Sequence, residues 1–240
     1  MNGDATILAS GLAIGHGRRT VVRDITLDVR AGGLLVLIGT NGSGKSTLLK
    51  TVAGLLPPLG GTVSVLGHAP GEDPRRTSYL PQHPVSSHTL PIRVADVVAM
   101  GRFARRGLIR PLRADDRRAI NDAMSRTGAV DVANRAIRDL SGGQQQRAHL
   151  AQVLAWDADI ILLDEPSAGL DVNGRATVER IVDEERARGA TVVLATHELS
   201  DAERADTVVL LAQRVVACGP PSTTLRDEHL RECYGFTQPH

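Results

Sequence analysis

The sequence predicts an α/β fold with a mostly parallel sheet at its core, an N-terminal antiparallel β part and a helical insert. Three observations lead there. Short, almost wholly apolar runs such as Leu34–Ile38, Ile160–Leu163 and Thr191–Ala195 read as strands buried on both faces. Helix-compatible segments separate the later runs, as parallel strands require. Between about Val94 and Asp139 the strand signals stop, and charged segments with helical spacing replace them.

In chain order, apolar residues recur around Thr6–Ala13, Thr20–Val29, Leu34–Ile38 and Thr62–Leu66, with Gly and Pro between them, as in strands joined by turns. Leu48–Ala53 is helix-compatible. Val94–Met100 and Ala114–Thr127 supply the helices of the insert. A helix is expected from Gly142 to about Ala155, then the strand Ile160–Leu163, the charged helix Arg175–Arg188 and the strand Thr191–Ala195. Thr207–Leu211 and Arg214–Cys218 are further apolar runs, and Pro220–His240 is a short tail of no evident function. The expectation is one domain over residues 1–240, its core made of 1–82 and 141–240 and its helical subdomain of approximately 83–140.

Composition narrows the function classes. The 240 residues are 42% hydrophobic and 23% charged, enough for a sizeable core. A net charge of +1 gives no support for nucleic acid as a partner. No apolar run approaches the ~18 residues of a membrane span. Met-Asn-Gly-Asp-Ala-Thr at the start has neither the basic nor the apolar character of a secretory leader, so a cytosolic chain is expected. Cys218 and Cys233 are far apart and read as ordinary thiols, and His68, His83, His88 and His240 are too scattered to suggest a metal site.

The segment Gly39-Thr-Asn-Gly-Ser-Gly-Lys-Ser-Thr47 follows a strand and precedes a helix, the context in which a glycine-rich loop cradles a polyphosphate. Gly39, Gly42 and Gly44 let the backbone turn tightly and aim successive N–H groups, with Asn41, Ser43 and Thr47 between and beside them, at one anion. Lys45 brings a compact positive charge to the β- and γ-phosphates, and the helix start adds its dipole. Ser46 offers the hydroxyl that a phosphate-bound Mg²⁺ takes as a ligand.

Two more segments converge on the same chemistry. Ile160-Ile-Leu-Leu-Asp-Glu-Pro166 is an apolar strand that ends in two carboxylates, at the sheet edge where ligands of open α/β sheets bind. Asp164 can support Mg²⁺ through the metal's water ligands, and Glu165 can orient a water for attack on the γ-phosphorus. In Leu140-Ser-Gly-Gly-Gln-Gln-Gln-Arg147, Ser141 is a good N-cap, and Gly142 and Gly143 leave the first N–H groups of the next helix open. That is a second anion-binding helix start.

This last segment resembles the signature of the ATP-binding cassette (ABC) ATPases, and the chain resembles an ABC transporter nucleotide-binding subunit along nearly its whole length. The order of motifs is similar too: phosphate loop, Gln82 in Tyr79-Leu-Pro-Gln82, helical insert, signature, acidic strand end, Ser167-Ala-Gly-Leu-Asp171, and Ala195-Thr-His197. The resemblance implies the P-loop NTPase fold of ABC ATPases, with ATP and Mg²⁺ bound and ATP hydrolysed. It implies that Gln82 contacts Mg²⁺ or the attacking water, that His197 hydrogen-bonds the γ-phosphate, and that Asp171 lies in a loop crossing between two subunits. It also implies a head-to-tail dimer in which Ser141, Gly142, Gly143 and Gln144 of a second copy close over ATP held by the first. Transmembrane permease subunits, an extracytoplasmic substrate-binding protein and a place on the cytoplasmic face of the membrane follow from the same resemblance.

One position departs from the pattern. Where the family has an aromatic residue stacking on adenine, His16-Gly17 stands here, so an imidazole takes that place. The surface for the permease is expected among exposed residues between His83 and Arg110, with the basic cluster Arg102, Arg105, Arg106 and Arg110 facing lipid head groups, a cytoplasmic loop, or solvent. Val97-Val-Ala-Met-Gly-Arg102, the helix after Arg113, Val215-Val-Ala-Cys-Gly-Pro-Pro221 and the end near Cys233-Tyr-Gly235 are similar to the importer group that handles zinc, manganese or iron. Siderophore and cobalamin importer ATPases share part of that texture. A soluble ABC ATPase of iron–sulfur cluster assembly stays open on length. A small-molecule kinase leaves Leu140–Arg147 unexplained.

Overall fold

A computed structural model of the chain describes residues 5–82, 91–106 and 111–235. Its elements run β1 (Ala5–His16), β2 (Arg19–Arg30), β3 (Leu34–Gly39), α1 (Lys45–Val52), β4 (Gly60–Val65), β5 (Thr77–Leu80), α2 (Val94–Arg106), α3 (Ala114–Thr127) and α4 (Gly142–Trp156). They continue with β6 (Ile160–Asp164), α5 (Val172–Ala187), β7 (Thr191–Thr196), α6 (Leu199–Glu203), β8 (Thr207–Leu211), β9 (Val215–Gly219), α7 (Pro221–Thr224) and α8 (Asp227–Tyr234). The chain falls into two compact units. One holds the residues up to Tyr79, Asp159–Glu165 and those from Glu185 on; the other holds Leu80–Ala158 and Pro166–Glu184.

The first unit contains the sheets. β1 pairs antiparallel with both β2 and β4, in a three-stranded sheet of order β2-β1-β4. The larger sheet has the order β5-β6-β7-β3-β8-β9, and β9 runs antiparallel to β8 at its edge. β3, β6 and β7 are buried along their whole length, which is why they read as unbroken apolar runs rather than alternating ones. Each Leu, Ile or Val so covered contributes roughly 1.5–3 kcal/mol. Leu48, Leu49 and Val52 of α1 join Leu35, Leu37, Leu162 and Val193 in one core, which also takes in the inner face of β1 and β2. Parallel register then decides where the strands end. Ile38 lies opposite Thr196, and Asp164 opposite Ala195, so β3, β7 and β6 finish side by side.

The four-residue strand β5 escapes a reading by apolar runs. Its Thr-Ser-Tyr-Leu sequence alternates, with Ser78 and Leu80 buried and Thr77 and Tyr79 half-buried. The described part of the tail forms α7 and α8, and Cys233 is buried there.

In the second unit α2, α3 and α4 pack together. At Gly101 a Cβ would stand 2.2 Å from the Gln152 carbonyl, so only glycine permits this approach of α2 to α4. The unit therefore extends beyond the 83–140 insert expected from the sequence. It takes in α4, whose packing is against α2 and α3, and much of α5. Arg126 on α3 donates to Glu184 at 2.9 Å, and Arg180 donates to the Arg126 carbonyl at 2.7 Å. Among the described residues no helix is long and apolar enough to cross a membrane.

Arg102 departs from its expected place in a basic surface cluster. It is buried, donating to Asp116 at 3.0 Å and to the Ala155 carbonyl at 3.1 Å. Its guanidinium thus neutralises a buried carboxylate and caps the end of α4. The side chains of Arg105 and Arg106, the whole of Arg110, and His83, His88 and His240 lie outside the described residues, as do 83–90 and 107–110 of the expected permease surface.

Breaking a buried ion pair from one side leaves the other charge uncompensated. Asp116→Ala is therefore expected to destabilise the protein by about 3–5 kcal/mol. Urea unfolding measures it, with Asp115→Ala, on the exposed Asp115–Arg118 pair, leaving the midpoint in place.

Candidate active site

At the end of β3 the chain turns into α1 through the glycine loop, and Gly44 is the residue that makes the turn possible. Its φ is 114°, and a Cβ there would lie 2.5 Å from Val22 Cγ2, inside the packing of β2. Beyond it the N–H groups of the first turn of α1 have no intrahelical partners, as any helix start leaves them. Asn41 and Gly42 are exposed, while Ser43, Lys45 and Thr47 are buried and Ser46 is half-buried. The loop is braced from β8–β9: Gln213 N donates to the Ser43 carbonyl at 3.2 Å. The buried Ser43 hydroxyl has no hydrogen-bond partner among the described residues.

Lys45 Nζ donates to the Gly39 carbonyl at 2.6 Å and to the Thr40 carbonyl at 3.3 Å, and lies 3.8 Å from Glu165 Oε1. Burial pulls its pKa below the ordinary lysine value, and the charges of Glu165 and Asp164 oppose that shift. The ammonium is thus held at the loop by carbonyl dipoles and carboxylates together.

Asp164 is the last residue of β6, and Glu165 follows with φ 51°, a left-handed conformation that costs a non-glycine residue roughly 1–2 kcal/mol. Glu165 N donates to the Ala195 carbonyl at 2.9 Å, which keeps the chain pinned to β7 as it turns. The turn carries the Glu165 carboxylate between Lys45 on one side and His197 on the other, whose Nδ1 lies 3.8 Å from Oε2. His197 is itself exposed, just past the end of β7, and its Nε2 lies 3.6 Å from Glu198.

Asp164 is 1% exposed. Burial raises its pKa above the usual carboxylate range, while hydrogen bonds from Ser46 and Tyr79 and the charge of Lys45 pull it back down. Tyr79 O–H donates to Oδ2 at 3.2 Å. Oδ1 is buried without a hydrogen-bond partner among the described residues. A buried carboxylate oxygen with no donor among the described residues, on a side chain whose group also meets the Ser46 hydroxyl, suits a small hard cation that takes oxygen ligands. The residues present therefore fit Mg²⁺.

His16, at the end of β1, places Nε2 3.2 Å from Thr47 Oγ1 with its ring exposed. The structure thus brings together His16, the loop from Gly39 to Thr47, Asp164, Glu165 and His197, all within the first unit. Tyr79 belongs with them and carries no role in the sequence reading. Its signal was present as a β-forming aromatic three residues before Gln82, but a contact to Asp164 needs the β5–β6 pairing.

The remaining candidates belong to the second unit. Gln82 is half-buried, two residues past β5. Ser141 caps α4: Gln144 N donates to its Oγ at 3.4 Å, and Ser141 N donates to Gln144 Oε1 at 3.1 Å. Gly142 and Gly143 form the first turn, and Leu170 lies in van der Waals reach of Gly143, at 3.5 Å from the position of an added Cβ. Gln146 donates to the Pro166 carbonyl at 3.0 Å, so the loop after Glu165 is fastened to the signature helix. Asp171 accepts from Gly174 N at 2.8 Å and caps α5.

The ABC transporter family model matches residues 22–168. The chain is 39% identical over 226 residues to the manganese transport system ATP-binding protein MntB of Bacillus subtilis, covering 93% of this chain and 90% of the relative. It is 38% identical to the hemin import ATP-binding protein HmuV of Thermobifida fusca, covering 98% and 84%. It is 36% identical to the zinc transport system ATP-binding protein TroB of Treponema pallidum, covering 93% and 85%. Among solved structures, the ATP binding subunit of an ABC transporter superposes with a TM-score of 0.79 at 26% identity, covering 98% of this chain and 95% of that one. Because the family match runs from β2 past Glu165 and the relatives align along nearly the full length, this chain belongs to the ABC transporter family, as one of its ATP-binding subunits.

Proposed function

We propose that this chain hydrolyses ATP at the β3–β7–β6 strand ends to drive import of a metal ion, zinc, manganese or iron, from the cytoplasmic face of the membrane. ABC ATP-binding subunits work with membrane permease subunits. An extracytoplasmic substrate-binding protein would deliver the cargo to them. The observation that carries the catalytic reading is the position of Glu165, its carboxylate 3.8 Å from both Lys45 and His197.

In this reading the phosphates lie against the N–H groups of the loop, with Lys45 reaching the β- and γ-phosphates. Glu165 orients a water and accepts its proton as the new P–O bond forms and the β–γ bridging P–O bond breaks, releasing ADP. His197 and Lys45 hold the charge that develops on the transferred group. Ser46 and Asp164 would hold Mg²⁺, which when bound neutralises charge on the phosphate oxygens. His16 covers the adenine with a ring smaller than the family's usual aromatic.

A single loop leaves one side of the γ-phosphate open. We assign its closure to Ser141, Gly142, Gly143 and Gln144 of a second copy, with Asp171 beside the shared seam. The Ser141 oxygen accepts from Gln144 N, and its own proton is still available to a phosphate oxygen. ATP then holds two copies together, and loss of the γ-phosphate releases them.

The names of two relatives, a manganese and a zinc transport system ATP-binding protein, support metal-ion import; that of a third supports hemin as a second reading. Glu165→Gln is expected to bind ATP, dimerise in it without magnesium, and hydrolyse about 10²–10⁴-fold more slowly. A wild-type rate from that variant, in a phosphate-release assay, removes Glu165 from the role. Ser141→Arg is expected to abolish dimerisation and hydrolysis together, and wild-type turnover there removes the seam. For the cargo, a strain lacking this chain is expected to stop growing when starved of one metal ion. Failure confined to medium with hemin as the iron source supports the second reading instead.

A further inference from the structure

The two oxygens of Asp164 are not equivalent. Tyr79 O–H donates to Oδ2 across 3.2 Å, while Oδ1 is buried with no hydrogen-bond partner among the described residues. The terminal torsion of an aspartate is broad and nearly two-fold, so a carboxylate held only by its own chain exchanges its oxygens freely. A donor fixed in space removes that freedom.

Tyr79 is fixed. Its strand, β5, pairs with β6, and Asp159 N and Ile160 N both donate to the Arg76 carbonyl at 3.0 Å, which sets the register of the two strands at their start. Running in parallel from that point, β5 brings Tyr79 level with the end of β6. The ring is half-buried and packs against the core of the first unit.

We propose that Tyr79 is a positioning residue for the metal: its hydroxyl occupies Oδ2 of Asp164 and so leaves Oδ1 as the oxygen presented to the magnesium of bound ATP. This rests on the ATPase reading of the same site. Tyr79 touches neither nucleotide nor metal and acts through Asp164 alone. Outer-shell partners that orient the groups supporting a metal typically change its affinity by about 10–100-fold when lost.

The test needs no turnover. A fluorescent ATP analogue is titrated into the full chain in EDTA and again in saturating Mn²⁺, and the ratio of the two affinities gives the contribution of the metal by linkage. Tyr79→Phe, which keeps the ring and its packing, is expected to leave the affinity in EDTA unchanged and to shrink the Mn²⁺-dependent gain about tenfold. In an Asp164→Asn background the same substitution is expected to change nothing further. An undiminished gain in Tyr79→Phe overturns the proposal, and so does an equal fall with and without metal, which marks a structural role. An additional loss in the Asp164→Asn background overturns it as well. If the wild-type chain shows no metal-dependent gain at all, the ATPase reading of the site fails, and this inference with it.

Discussion

A lysine ammonium buried at the end of an apolar strand is the constraint around which the first unit is arranged. Lys45 is 5% exposed, and removing such a charge from water costs several kcal/mol unless carbonyls and counter-charges replace the lost hydration. The replacements come from different parts of the chain. The Gly39 and Thr40 carbonyls belong to the loop itself, and Glu165 arrives from the next strand but one. That arrival depends on register: were β6 displaced by one residue, Asp164 and Glu165 would exchange sides of the sheet and the ammonium would lose its nearest carboxylate. The packing of three fully buried strands is thus what keeps a charged site electrically balanced.

Two carboxylates adjacent in sequence meet different partners because of one backbone angle. Asp164 is still in extended conformation and stays buried beside Tyr79. Glu165 at φ 51° leaves the strand direction and turns toward Lys45 and His197. Strain at a single residue thus gives the two carboxylates different partners, Tyr79 for one and Lys45 with His197 for the other. The bond from Glu165 N to the Ala195 carbonyl stabilises the turn that this strain requires.

In the second unit the polar groups of the signature segment are already partly satisfied within the chain. Ser141 and Gln144 bond each other's backbone, so the start of α4 is capped from within the chain. The loop that carries Asp171 is tied to the same helix through Gln146 and Pro166. Arg102 and Asp116 make a buried link among α2, α3 and the end of α4, in a stretch that the charge pattern alone presents as a surface.

The sequence by itself determined the elements whose chemistry is local. A glycine loop between an apolar strand and a helix, a serine cap followed by glycines, and an apolar strand ending in Asp164 and Glu165 each declare their conformation through neighbouring residues. The short strand β5, the burial of Arg102 and the membership of α4 in the helical unit were left to the tertiary structure. Periodicity cannot identify a four-residue alternating strand, and a charge pattern cannot say which arginine finds a buried carboxylate. The pairing of Tyr79 with Asp164 belongs to the same class: the two residues lie far apart in the chain, and only the hydrogen-bonded register between β5 and β6 makes them neighbours.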